Sequence, residues 1–395
     1  MKTGRIRKTT VMIGMVALLA PASPARAGAG DNAALLYYQA FLLYEKPDAA
    51  LEQMLDNFRA GKIDANEAIR THLEKNRRVI EYIVKAASLP SCDWGYDYSQ
   101  GIDLTLVNPQ AVKRIAFLLS TDACWLAHQG DYRMALDRCL TAHRMALHTV
   151  DRTLVPYLVG IGVSGVTNRT IQRVLATVPD DIGTLTRFKD QMQQIREAFP
   201  PLPDMLVQES QVCAATMRKD KVPVVIRVLE QDYEGFAASV TKKRLLAGDE
   251  VFFERNRTYW FSTIAALAAV LKSGQPYPQV YAQLEELEKK RTGESKDNPD
   301  ATFTGFSLGA VSRIYLLATR LQTHFNAIQL AIDLYTIRAR TGKLPDTLPA
   351  SAPPDLFSGQ PFEYEKAPDH FTLRCRATEE PEKAEANSYE FKIGK

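Results

Sequence analysis

A chain of 395 residues, 46% apolar and 24% charged, is long enough to bury about three-quarters of its unfolded surface in a sizeable core. Its net charge of +3 is too small for a nucleic-acid footprint. The five cysteines, Cys92, Cys124, Cys139, Cys213 and Cys375, are too few and scattered for a disulfide framework, and their odd number leaves at least one unpaired or linked to another chain.

Residues 1–27 read as a secretory signal peptide. Lys2, Arg5, Arg7 and Lys8 precede an apolar run from Val11 to Ala20, and Ala25-Arg26-Ala27 forms a small-x-small cleavage site. The run is about half the roughly 20 residues that a span needs, so export with cleavage is expected rather than a retained anchor. No Cys follows the cleavage point, which argues against a lipoprotein anchor. Without this segment and its five basic residues, the 49 Lys and Arg fall to 44 against 46 Asp and Glu, so the basicity belongs to the signal. Leu154 to Val166 and Tyr259 to Leu271 are too short for a second span and contain Pro or polar residues.

Leu35, Leu36, Tyr38, Ala40, Leu42 and Leu43 make a dense apolar helix. After Pro47 a second helix carries Leu51, Met54, Leu55 and Phe58, and a third, from Ala65 to Ala87, carries Ile69, Leu73, Ile80, Ile83 and Val84. Three helices in so short a stretch imply a bundle or solenoid. The next segment, Leu89 to Tyr98, is a loop rich in aromatics and acids. Its Asp93, Trp94, Tyr96, Asp97 and Tyr98 are a candidate recognition surface, with a satellite core beneath the loop as the alternative.

Val112 to His128 and Tyr132 to Val150 form a helical hairpin about Gln129-Gly130. Gly130-Asp131-Tyr132 with Ala135, Cys139 and Ala142 resembles half of a tetratricopeptide repeat, although Leu147 stands where that repeat ends in Pro and no second copy follows. Cys124, His128, Cys139 and His143 suggest zinc. However, at ~1.5 Å rise per residue they spread too far along the hairpin to meet one ion, and Cys124 and Cys139 are left as disulfide or packing neighbours.

Gly160, Gly162 and Gly165 match the dinucleotide fingerprint letter for letter. Pro156 interrupts the would-be strand before them and no second strand reaches Asp180 and Asp181, so the expectation is a small-residue helix face and no bound cofactor. Helical periodicity continues through Leu185 to Phe199, stops at Pro200-Pro201-Leu202-Pro203, and resumes in Met205 to Arg218, after Pro223, and in Tyr277 to Arg291. The polar stretch Thr292 to Thr302 is taken as the boundary between a helical-hairpin domain, 28–300, and a C-terminal module, 301–395.

Gly305-Phe306-Ser307-Leu308-Gly309 matches a hydrolase nucleophile elbow, and Asp355 and His370 follow in the order of a catalytic triad. An esterase using Ser307, Asp355 and His370 is therefore the alternative function. Against it, the upstream chain reads as helices where a hydrolase needs parallel strands, and the simpler expectation places Ser307 at a helix N-terminus.

Phe306 to Arg340 reads as one long amphipathic helix. Val311, Ile314, Ala318, Leu321, Phe325, Ile328, Ile332, Tyr335 and Ala339 lie on one stripe, with Arg313, Arg320, Gln322, Gln329 and Arg340 opposite. Gly342 and Pro345 end it. Three runs then alternate with period two: Phe362 and Tyr364; Phe371, Leu373 and Cys375; Tyr389, Phe391 and Ile393. A small antiparallel sheet covered by the helix is the economical reading.

On Tyr335, Gly342, Leu344-Pro345, Leu348, Asp355, Gly359, Pro361, Phe362 and Tyr364, this last quarter resembles the globular region of type IV pilin-like proteins, especially the major pseudopilin of type II secretion. The resemblance implies a helix-plus-sheet head. It implies no filament, because a long soluble body precedes the helix, and no calcium ligands are carried over. The helical body with its Cys92-Asp93-Trp94-Gly95 loop also resembles exported bacterial helical proteins that share this C-terminal motif, which implies compartment and fold but no activity. The expectation is a mainly α protein of the periplasm or cell exterior, a non-catalytic binding or scaffolding protein with a protein partner in the envelope.

Overall fold

The computed structural model describes residues 32–232, 239–376 and 387–393. The expected signal peptide lies outside them, as does most of the Arg374 to Asn387 loop. Short polar side chains set many of the helix starts. Asn32, Asp48, Asn66, Asn108, Asp131, Asp181 and Asp249 each accept a backbone N–H from the turn that follows, satisfying donors a helix leaves open. The first group is α1 (Ala33–Leu43), α2 (Ala49–Arg59), α3 (Glu67–Lys75) and α4 (Arg77–Ala87). The expected single helix over 65–87 is thus two. Asn76 breaks it, because its side chain turns aside to bond the Glu45 backbone, accepting from N at 3.0 Å and donating to O at 3.2 Å.

A hairpin of α5 (Pro109–His128) and α6 (Tyr132–Thr149) packs against α7 (Leu154–Leu175). Then come α8 (Ile182–Ala198), α9 (Leu202–Ala214), α10 (Val222–Asp232), α11 (Val240–Ala247), α12 (Glu250–Leu271) and α13 (Tyr277–Asp297). Short α14 (Thr302–Ser307) precedes the rod, α15 (Val311–Thr341). The rod therefore starts at Val311 rather than Phe306, since the chain unwinds over Leu308, Gly309 and Ala310. It ends as expected: Gly342 sits at φ 78° and donates its N–H to Arg338 O, a left-handed cap that favours glycine.

All strands among the described residues follow the rod: β1 (Glu363–Lys366), β2 (His370–Arg374) and β3 (Ser388–Lys392), antiparallel in that order. Phe371 pairs with Phe391 and Leu373 with Tyr389. All four side chains are buried, and the alternation in sequence accordingly places one apolar face against the rod. Tyr335 of the rod stacks edge-on with Phe371 and donates its hydroxyl to Lys392 O at 2.6 Å.

The rod's polar face is enclosed over its middle, where it packs on α7 and α8, while Arg313 and Arg340 near its ends are exposed. Gln329 is buried and donates to Lys189 O at 3.1 Å, Gln322 accepts from Arg196 Nε at 3.1 Å, and Arg320 Nε donates to Asn387 Oδ1 at 3.1 Å. Polar residues there satisfy buried backbone and side-chain groups of neighbours. The same seam holds His143, whose Nδ1 lies 3.3 Å from Ser164 Oγ, and His324, whose Nε2 lies 3.0 Å from Gln172 Oε1. Burial drives both imidazoles down to about 3, so they stay neutral.

Two buried clusters share the molecule. One joins α1 to α4 with the adjoining faces of α5 and α6 through Tyr37, Phe58, Ile69, Ile83, Trp94 and Leu119. The other runs from Ala123 to Phe391 and includes Phe188, Trp260, Phe325 and Phe371, so the core continues unbroken across residue 300. The stretch 292–302 is polar for a local reason. It contains the C-terminal turn of α13, where Arg244 donates to the carbonyls of Ser295 and Lys296 at 3.0 and 2.7 Å.

Candidate functional site

The loop at 93–98 is folded inward. Trp94 stacks on Tyr37 and Phe41 and donates Nε1 to His148 O at 2.7 Å, while Tyr37 Oη lies 2.9 Å from His148 Nδ1. Tyr96 accepts the Val107 N–H at 3.1 Å, and burial pushes its hydroxyl up to about 12. Tyr98 donates to Asp151 and lies beneath Arg152. Asp93 and Asp97 accept from Gly95 and Ser99 within the loop, leaving these two as the exposed members of the set. The aromatic rings thus tie the loop to α1 and α6.

Ser307 is the last residue of α14, preceded by helix rather than strand and followed by the extended Leu308. The strand-turn-helix bend of a nucleophile elbow is absent at this serine, and Ser307 is at a helix C-terminus where an N-terminus was expected. Asp355 is fully buried and accepts from Phe357 N at 2.9 Å, Ser358 Oγ at 2.6 Å and Arg376 N at 3.0 Å. His370 pairs instead with Asp369 at 2.8 Å. No hydrogen bond joins Ser307, Asp355 and His370 among the described residues.

Gly160, Gly162 and Gly165 lie inside α7, with Pro156 tolerated in its first turn. Gly160 allows a close helix crossing: a Cβ there would stand 2.6 Å from Val150 Cγ2 and 3.0 Å from Ala146 O. Cys124 and Cys139 are buried free thiols, so packing and not a disulfide accounts for them; His128 is exposed near the hairpin tip while His143 is buried against Phe325. Among the described residues no group of three or more His, Cys, Asp or Glu is placed to hold a metal ion, and no helix is long and apolar enough to cross a membrane.

The site most like a binding site lies where the rod, the body and the C-terminal segment meet. A groove of about 760 Å³ opens between the start of α7, the Phe199–Pro203 turn, the loop before α13, the N-terminal half of α15 and the segment 356–360. Its walls are aromatic: Tyr157 packs on Phe199, and Tyr277 stacks on Tyr315 with centroids 5.2 Å apart and meets Phe357 edge-on at 4.8 Å. Besides the tyrosine hydroxyls, the polar groups are few, namely Arg196, Gln275, Thr319, Gln322, Ser358 and Gln360. A mostly apolar hollow of this size with a few convergent polar groups matches the usual anatomy of a ligand site.

Asp355 shapes the groove's outer lip. Its carboxylate bonds and the backbone pairs Gly359 N to Asp355 O, 2.8 Å, and Asp355 N to Gln360 O, 2.9 Å, lock residues 355–360 into a tight loop. Asn326 Nδ2 fixes the preceding Pro354 carbonyl at 2.8 Å. Sequence reasoning missed Tyr157, Phe199, Tyr277 and Tyr315, which come from four distant segments. The available signal was Pro200-Pro201-Leu202-Pro203, read above only as a helix stop. Comparison with protein-family models, with curated proteins and with solved structures gives no match for this chain.

Proposed function

We propose that this is an exported, non-catalytic binding or scaffolding protein of the cell envelope, whose C-terminal helix and ribbon form a pseudopilin-like head on a helical body. The observation that supports it is the groove lined by Tyr157, Phe199, Tyr277 and Tyr315 between body and head. Stacked aromatics beside a proline turn suit an extended, proline-containing polypeptide, which presents flat rings and free carbonyls at low ordering cost. Gln322, Gln360 and Arg196 supply amide and guanidinium donors for those carbonyls.

A photo-crosslinking residue in place of Tyr315 tests the reading. It should capture an envelope polypeptide, with capture lost when Tyr277→Ala is added, and the same residue at exposed Leu42 should capture none. Equal capture at both positions would overturn it. Labelling of the protein by a fluorophosphonate, abolished by Ser307→Ala, would replace it with the esterase.

A further inference from the structure

We propose that a second cleft, between α2, α7 and β3, is a binding site for a phosphomonoester. This cleft of about 660 Å³ is lined by Asp56 and Arg59 from α2, Phe117 from α5, Arg169 and Arg173 from α7, and Glu390 and Lys392 from β3. It is separate from the aromatic groove and independent of the reading given to that groove.

Among the described residues that line the cleft, the charges do not balance. Arg59 pairs with Asp56 and donates to Thr121 Oγ1 at 2.9 Å, so it is already satisfied. Arg169, Arg173 and Lys392 form no ion pair among the described residues and face the single carboxylate of Glu390, which leaves an excess of two positive charges. Arg169 and Arg173 are also four apart on one helix, where like charges repel. The Nη1 of Arg173 is buried without a hydrogen-bond partner among the described residues, an arrangement that native interiors avoid unless a ligand or water completes it.

The cleft is also preorganised. The Arg173 guanidinium lies over the Phe58 ring at 4.9 Å and that of Arg59 over Phe117 at 4.7 Å, contacts that fix a planar cation through its face and leave its edge for acceptors. Gln172 holds the strand to the helix, donating to Glu390 O at 3.0 Å while its oxygen meets His324. Lys392 is thereby kept across the cleft from the α7 arginines.

Three cations on two elements suit a tetrahedral group with three terminal oxygens better than a planar carboxylate, whose two oxygens one arginine can saturate. An excess of two charges matches a phosphomonoester dianion. The volume exceeds that of inorganic phosphate, and Phe117, Val166 and Ala176 offer an apolar wall for the esterified part. Such a group occurs in soluble phosphate esters and in a lipid headgroup, and the test separates the two.

Calorimetric titration of the purified full chain with glycerol 3-phosphate should show saturable binding, weakened at least tenfold by Arg173→Gln and by Arg169→Gln and falling as salt rises. Arg169 and Lys392 are exposed, so Arg169→Gln and Lys392→Gln report on the site in a folded protein even if Arg173→Gln fails to fold. Binding to vesicles containing phosphatidic acid, with none of glycerol 3-phosphate and with the same sensitivity to Arg169→Gln, would place the same chemistry on a lipid. No saturable binding of either, equal affinity for succinate, or binding untouched by Arg169→Gln and Lys392→Gln would overturn the proposal.

Discussion

The loop at 93–98 and the groove at the rod present the same kinds of side chain with opposite consequences. In the loop, Trp94 and Tyr96 are close in sequence, conspicuous, and engaged in packing against α1 and in hydrogen bonds to His148 and Val107. In the groove, Tyr157, Tyr277 and Tyr315 are inconspicuous in sequence and assembled from distant segments, and they line an opening. Concentration of aromatics along a chain is therefore a poor guide to a binding surface.

The sharpest way to break this comparison is to truncate one ring in each region. Trp94→Ala should cost about 3–5 kcal/mol in urea unfolding, through the cavity left beside Tyr37 and Phe41. A loss under about 1 kcal/mol would mean that the loop is held loosely and is again a surface.

Glycines extend the contrast. Gly160→Ala should destabilise by about 1–3 kcal/mol, because the new methyl collides with Val150 and Ala146. Gly162 has no atom within 4 Å of the corresponding position, so Gly162→Ala should stabilise α7 by about 0.5–1 kcal/mol. Thermal melts of the two variants moving in the same direction would contradict the helix-crossing account of this motif.

Histidines give a pH-dependent version. His143 and His324 are held near 3 when folded and return to about 6.5 when unfolded. Below pH ~6.5 the unfolded chain takes up protons that the folded chain refuses. Stability is then full above that pH and falls on acidification, by up to about 1.4 kcal/mol per pH unit for each residue, down to about pH 3. Unfolding curves between pH 7 and 4 should flatten in His143→Gln, and an unchanged slope would show that this imidazole is protonated when folded. A small stability change is also expected at the groove: Tyr315→Ala should cost only roughly 1 kcal/mol while removing most partner capture.

Much of the fold was legible because helix and strand periods are local. The spacing of Leu185, Phe188, Met192 and Ile195, or of Phe371 and Leu373, reports burial directly. Breaks were less legible. Asn76 reads as a neutral helical residue until its bonds to Glu45 are seen, and Leu308 to Ala310 continue the rod's composition without its geometry. The role of the rod's polar face was not legible either, since the periodic pattern does not show that Gln322 and Gln329 bond residues of α8. The groove was not legible at all, because Tyr157 and Tyr315 meet only through tertiary packing. Arg169 and Arg173, by contrast, carried a signal in their spacing alone, four apart on one helix.

The enclosure of α15 has a practical outcome. From Thr323 to Ile332 every residue is buried, with helices on one flank and the ribbon on another. Severing the polypeptide at residue 300 would yield no autonomous head: one fragment would be left with an empty trough, the other with a greasy cylinder, and both would clump. Any truncated version would have to keep rod and trough together.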